Sequence, residues 1–258
     1  MRLTNWQILS DQGPDLVACL DFPGARGAAG FADLADGAPL RACFVQLRQA
    51  TAGPLPVALA QWAAELTGTG RPVRAVLGYC TGAALATRLA DAIAESAPAP
   101  VVVLLDALGV DGWSLVGEFL AAVESSARNL TTDALAEARA LADHLVATDP
   151  EDLPGIGAAV TACYGRLMRE VADRLSLPDF LYQQLTAGFT AYVDYLLLAG
   201  QGGFDTRASA PLFLVSAGLE PPVPDGRTLA FDVGHDDLLR EPKVHELVAD
   251  LIRGETPC

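Results

Sequence analysis

A thiol, an imidazole and a carboxylate held within hydrogen-bond reach can cleave an acyl bond by covalent catalysis. The 258-residue chain has a candidate for each. Cys80 is the centre of GYCTG at 78–82, after an apolar run at 73–77 and before the alanine-rich stretch 82–96. A strand that enters Gly-x-nucleophile-x-Gly and leaves as a helix makes a tight, strained turn with the central side chain exposed. Gly78 and Gly82 would keep strand and helix from colliding there. The N–H of Thr81 would face a developing oxyanion, and the helix N-terminus would favour the thiolate. The strand before and the helix after favour a nucleophile over an inert buried thiol.

A nucleophilic thiol needs a base, and the chain has three histidines. His144 reads as a helix-surface residue and His245 lies in the terminal helix. His235, in GHDDLL, follows the last apolar run in a loop. A base in that loop would end over the turn that carries Cys80. Two residues could supply the acid. Asp106 ends the apolar run VVVLLDAL, and Glu220 follows LFLVSAG. A carboxylate at the C-terminal end of a central strand points into the crevice, so Asp106 is preferred. Glu220, beside prolines and expected to be exposed, remains the alternative. A second oxyanion donor would come from LDFPGARGAAGFADLA (20–35), with Ala25 as the choice and Gly24 behind it.

These residues need a frame. Apolar runs at 16–22, 42–47, 73–79, 101–108, 211–218 and 227–233 read as strands, with helical spacing at 55–67, 82–96 and about 242–252. The run at 101–108 has the unbroken apolar character of a strand buried on both faces. Alternating strands and helices predict an α/β fold with a mostly parallel sheet. From 111 to 205 no strand pattern is found. Helical faces run through Val116, Phe119, Leu120 and Val123, through Leu135, Leu141 and Leu145, and through Tyr164, Leu167, Met168 and Val171. A last helix is expected from Phe180 to Leu198. The expected organisation is a core of 1–110 and 206–258 interrupted by about four helices at 111–205. Nucleophile, acid and base in this chain order are those of an α/β-hydrolase fold.

A formal charge of −15 and no Lys/Arg cluster exclude nucleic acid and anionic membranes as expected partners. A basic docking patch would have to be local, around Arg26, Arg48, Arg71 or Arg74. No apolar run reaches a membrane span, and the first residues lack a signal-peptide pattern, so a cytoplasmic protein is expected. Five cysteines without paired spacing argue against a disulfide framework or zinc, and no metal or cofactor is expected. Cys19 and Cys43 are expected to be small core hydrophobes. The aromatic residues of the insertion, Trp113, Phe119, Tyr164, Phe180, Tyr182, Phe189, Tyr192 and Tyr195, should be mostly core.

Four segments carry a resemblance. DFPGARGAAGFADLA, VLGYCTGAALATRLADAI, VVVLLDAL and GHDDLL resemble, in order, the oxyanion loop, elbow, acid strand and histidine loop of the thioesterases of polyketide and nonribosomal peptide assembly lines. The resemblance implies that Cys80 accepts an acyl group from a phosphopantetheine thioester, borne by an acyl or peptidyl carrier protein or by CoA. It implies His235 as base, Asp106 as its orienter, Ala25 and Thr81 as oxyanion donors, and lid helices that shape the acyl pocket. Most members have serine where this chain has Cys80. A cysteine keeps the acyl group as a thioester, which suits transfer or cyclisation as well as hydrolysis. Dienelactone hydrolases resemble the chain at GYCTG but are expected to lack the long insertion. Polyhydroxyalkanoate synthases share the Gly-x-Cys-x-Gly box on much longer chains. A non-catalytic carrier-binding protein on the same fold is disfavoured by the presence of all three residues.

Overall fold

Apolar segments too short for a helix pair into one sheet, and the amphipathic stretches between them cover it. The structure is a computed structural model that describes residues 3–22, 29–48, 53–223 and 226–254. In chain order the sheet unit holds β1 (Trp6–Asp11), β2 (Leu16–Leu20), α1 (Phe31–Gly37), β3 (Cys43–Leu47), α2 (Leu55–Thr67), β4 (Val73–Tyr79), α3 (Ala83–Ala94) and β5 (Val101–Leu105). It resumes with β6 (Leu212–Val215), β7 (Arg227–Ala230) and α8 (Pro242–Arg253). The strand order is β1-β3-β2-β4-β5-β6-β7. β1 runs antiparallel to β3, and the other pairings are parallel.

Alternate side chains on the central strands face opposite ways. Val17, Cys19, Ala75, Leu77, Val103 and Leu105 form one core with Phe31 and Leu34 of α1 and Val244 and Val248 of α8. α3 packs against β4 and β5 with α2 beside it. Cys19 and Cys43 are buried. Two elements differ from the sequence expectation by being additional. β1 was not expected, because Trp6 is buried while Ile8 is 52 % exposed, which spoils its alternation. α1 was expected as loop, and seven residues are too few for a helical period to stand out.

The chain divides into a sheet unit, Met1–Gly109 with Gln201–Cys258, and a helical unit, Val110–Gly200. The helical unit contains α4 (Gly112–Ser125), α5 (Thr132–Thr148), α6 (Leu153–Arg174) and α7 (Asp179–Gly200). Asp111, Thr131 and Asp152 cap α4, α5 and α6 through side-chain oxygens, satisfying N–H groups that a helix leaves open. Tyr164 stacks on Phe189 at 4.2 Å, and Phe119 and Tyr195 are buried with them. Of the aromatic residues expected as a group to be mostly core, Trp113 and Phe180 are 63 % and 59 % exposed. In α5 the buried stripe is Ala134, Ala138, Ala142 and Val146, not the expected leucines. Alanines let α5 pack closely, so the larger side chains lie at the edge of the contact.

Residues 201–205 belong to the sheet unit rather than to the insertion, because α3 and its neighbours hold them. Gln201 Oε1 accepts from Leu55 N–H, and the Gly203 carbonyl accepts from the Thr87 hydroxyl. One oxygen of Asp91 accepts from Thr206 Oγ1 and from the N–H groups of Arg207 and Ala208, at 2.7, 2.7 and 2.9 Å. Asp91→Ala strips three donors at once, so it should cost about 1–3 kcal/mol. A urea melt checks this, with a lowered midpoint at unchanged slope as the expected outcome.

Candidate active site

Three strands end at the same level. The register pairs Leu20 with Gly78, Tyr79 with Leu105, and Leu105 with Leu214. Asp21, Cys80 and Asp106 therefore follow β2, β4 and β5 side by side, at the carboxyl edge where α/β sheets place their sites.

Cys80 begins a 3₁₀ turn, Cys80–Gly82, that runs straight into α3. Its φ is 52°, left-handed for a residue with a side chain. Asp106 has φ 44°. Such conformations cost about 1–3 kcal/mol each and persist only where the surroundings fix them. Here the Cys80 carbonyl accepts from Ala83 N–H and, at 3.2 Å, from Leu108 N–H. The second bond ties the turn to the loop that carries Asp106. Ala83 makes the first helical hydrogen bond, so the N–H of Thr81 precedes the helical ladder.

Gly78 is required by close approach. A Cβ there would lie 2.5 Å from the Ala83 Cα and 2.8 Å from the Ala86 Cβ. Gly78→Ala must push α3 away from β4 and should destabilise the fold by about 2–3 kcal/mol. Urea denaturation is the check, and an unchanged midpoint would show that the helix gives way freely.

His235 opens the 3₁₀ turn His235–Arg240. Its Nδ1 lies 2.8 Å from Asp106 Oδ2. The other carboxylate oxygen, Oδ1, accepts from Ser216 N–H at 2.6 Å. The Asp106 side chain is fully buried and that of His235 is 37 % exposed. Tyr79 clamps the histidine twice: its ring stacks on the imidazole at 4.9 Å, and its hydroxyl donates to the His235 carbonyl at 2.9 Å. Burial pushes the Tyr79 phenol up, so it stays a donor. Hydrogen bonding to Asp106, and then to Cys80, raises His235 from 6.5 to about 10. The imidazole therefore carries its charge at neutral pH. Asp106 is acceptor-only when ionised, so Nδ1–H is the donor of that pair and Nε2 is left to the bond with Cys80.

The structure thus brings Cys80, His235 and Asp106 together. Glu220 is exposed. Ala25 and Gly24 lie outside the described residues. His144 is exposed, and His245 is buried with Nε2 bonded to the Leu239 carbonyl at 2.8 Å. Arg71 and Arg74 flank the start of β4, roughly 20–30 Å from Cys80 at about 3.3 Å per residue. They pair with Asp11 and Asp15, and neither offers a free cation beside the thiol. Among the described residues, no group of His, Cys, Asp or Glu is arranged to hold a metal ion, and no helix is long and apolar enough to cross a membrane. Sequence reading missed Tyr79, Ser216 and Asp21. Tyr79 was in view as the residue before Cys80, but its partner is 156 positions away.

No family model matches the chain, and no curated protein matches it. Solved structures do. The chain is similar to a four-domain nonribosomal peptide synthetase bound to AMP and glycine, at 14% identity and TM-score 0.55, over 98% of this chain and 20% of that one. It is similar to ClbQ from the colibactin NRPS/PKS pathway, at 13% identity and TM-score 0.51, over 94% and 98%. It is also similar to an α/β hydrolase enzyme from a Medee basin deep-sea metagenome library, at 10% identity and TM-score 0.51, over 98% and 94%. At such identities the likeness is one of fold. The chain has the α/β-hydrolase fold, with a seven-stranded, mostly parallel sheet.

Proposed function

We propose that this chain is a thioesterase-like enzyme that takes an acyl group from a carrier-protein or CoA thioester onto Cys80. It then releases the group by transfer, cyclisation or hydrolysis in natural-product biosynthesis. The observation that carries the reading is the placement of Cys80, on a left-handed turn, beside an imidazole that a buried carboxylate holds. The fold shared with structures from nonribosomal peptide and polyketide systems supports it.

The chemistry follows from the atoms. His235 Nε2 holds the proton taken from the Cys80 thiol, and the sulfur attacks the thioester carbonyl. The oxyanion is held by N–H groups, for which Thr81 and Ala25 are assigned. Collapse breaks the bond to the pantetheine sulfur, which leaves as a thiol with the proton from His235 Nε2. The acyl group now sits on Cys80. An acceptor amine, hydroxyl or water gives a proton to Nε2 as it attacks, and collapse restores the Cys80 thiol. Asp106 keeps Nδ1–H fixed throughout, and Tyr79 holds the ring plane. The helical unit, inserted after the Asp106 loop, is assigned to acyl-chain selection and exclusion of water. Its substrate arm is phosphopantetheine, and no separate cofactor is needed.

Intact-protein mass spectrometry with a panel of acyl-pantetheine thioesters tests the proposal. The expected result is an acyl adduct on the wild type, absent from Cys80→Ala and discharged faster by amines than by water. Discharge by water alone would reduce the reading to a hydrolase. An equal adduct on Cys80→Ala would overturn it.

A further inference from the structure

Asp21 has no part in these proton transfers, yet it stands at the same strand ends. It follows β2 directly, and the Leu20–Gly78 pairing sets it level with Tyr79. It is half-buried, and its Oδ1 accepts from Phe22 N–H at 2.7 Å. Tyr79 in turn stacks on His235, from the loop after β7, whose charge acts on Asp21. The titratable groups in its field are Tyr79 of β4 and Cys19 of its own strand. Cys80 and Asp106 also act on His235, and Asp236 lies in the field of Tyr79.

We propose that Asp21 is a positioning residue acting through His235: ionised, it adds a second carboxylate to the field of the imidazolium, and protonated, it leaves His235 to Asp106 alone. The inference rests on the reading of His235 as the acyl-transfer base. Burial supports it, raising Asp21 from the usual carboxylate value of 3.8 to about 7, against the opposing pull of Phe22 N–H and His235. The switch therefore falls at neutral pH. As pH rises through that range Asp21 ionises and the imidazolium becomes harder to deprotonate. Discharge of the acyl-enzyme needs neutral His235, so it gains less from rising pH than the imidazole alone would allow. Each unit by which Asp21 raises His235 removes about tenfold of the neutral base below its pKa.

Two measurements test this. NMR of the His235 ring in wild type should show an inflection near pH 7 besides its own high titration. Asp21→Asn should lose that inflection and titrate lower, while Asp21→Glu should keep it. In parallel, single-turnover discharge of the acyl-enzyme at pH 8 should be faster in Asp21→Asn, by about tenfold for each unit that His235 drops. If Asp21→Asn fails to fold, ¹³C NMR of the wild-type Asp21 carboxyl decides: a midpoint near 7 that also moves the His235 ring supports the proposal, and a midpoint near 4 overturns it. An inflection that persists in Asp21→Asn overturns it, as does an unchanged discharge rate. The NMR arm needs no turnover. Absence of acylation at Cys80 would therefore remove the proposed function while leaving the Asp21–His235 coupling measurable on its own.

Discussion

Cys80→Ala is expected to abolish the acyl-enzyme and lower turnover by about 10³-fold or more, because the side chain assigned to carry the acyl group is removed. Cys80→Ser is the more informative change. Serine preserves the small side chain on the left-handed turn, so the fold should survive. Its hydroxyl is far less acidic than a thiol, so acylation needs a neutral imidazole as base. In this site Asp106 biases His235 towards the charged form, although part of the rise comes from Cys80 itself and is lost in the variant. Acylation should therefore slow by about 10²-fold or more, within the range general-base effects span. The intermediate would also change from thioester to oxoester, a poorer acyl donor to amines. The ratio of hydrolysed to transferred product should rise, which chromatography of the products with a competing amine would measure. Undiminished turnover in Cys80→Ala would remove sulfur from the mechanism altogether.

The strand-end cluster also explains which parts of the site a sequence can disclose. GYCTG marks itself because the physics is local: an apolar strand, a turn, a helix, and glycine where Ala83 and Ala86 leave no room for a Cβ. His235 could be placed by chain order and by its loop after the last apolar run. Asp106 was preferred to Glu220 because it ends the most apolar strand, and the hydrogen bond to His235 lies at that position. What could not be read depends on register between distant segments. Tyr79 stacks on a residue from beyond β7, Ser216 donates to an aspartate 110 positions earlier, and Asp21 enters the cluster only because β2 pairs with β4. In the helical unit the error came from size. The face expected in α5 holds leucines, while its buried residues are Ala134, Ala138, Ala142 and Val146. Helical periodicity predicts that a face is buried but not that small residues will form it.

Asp106→Asn should lower turnover by about 10²–10⁴-fold with little loss of fold. The asparagine Oδ1 can still accept from Ser216 N–H, whereas alanine would leave that buried donor open and confuse stability with catalysis. At the other position a carboxylate oxygen that accepts from His235 Nδ1–H would become an NH₂ that donates. The imidazole must then present an unprotonated Nδ1, which puts the proton on Nε2, the atom that has to receive one from Cys80. His235 also loses its largest source of elevation and should titrate towards 6.5 rather than about 10. The stability linkage has a definite sign. A histidine raised in the folded state stabilises it fully below about 6.5, and that contribution fades as pH rises through the folded value. Wild type should therefore exceed Asp106→Asn in stability by more at pH 6 than at pH 10, by an amount that solvent screening keeps small for a side chain 37 % exposed. Ring NMR and urea melts at the two pH values read both effects. A variant that keeps its rate while Glu220→Gln loses it would move the acid to Glu220. A variant that loses rate while His235 still titrates near 10 would mean that Asp106 sets the tautomer and that the charge on the imidazole is held from elsewhere, with Cys80 and Asp21 the groups in the cluster able to hold it.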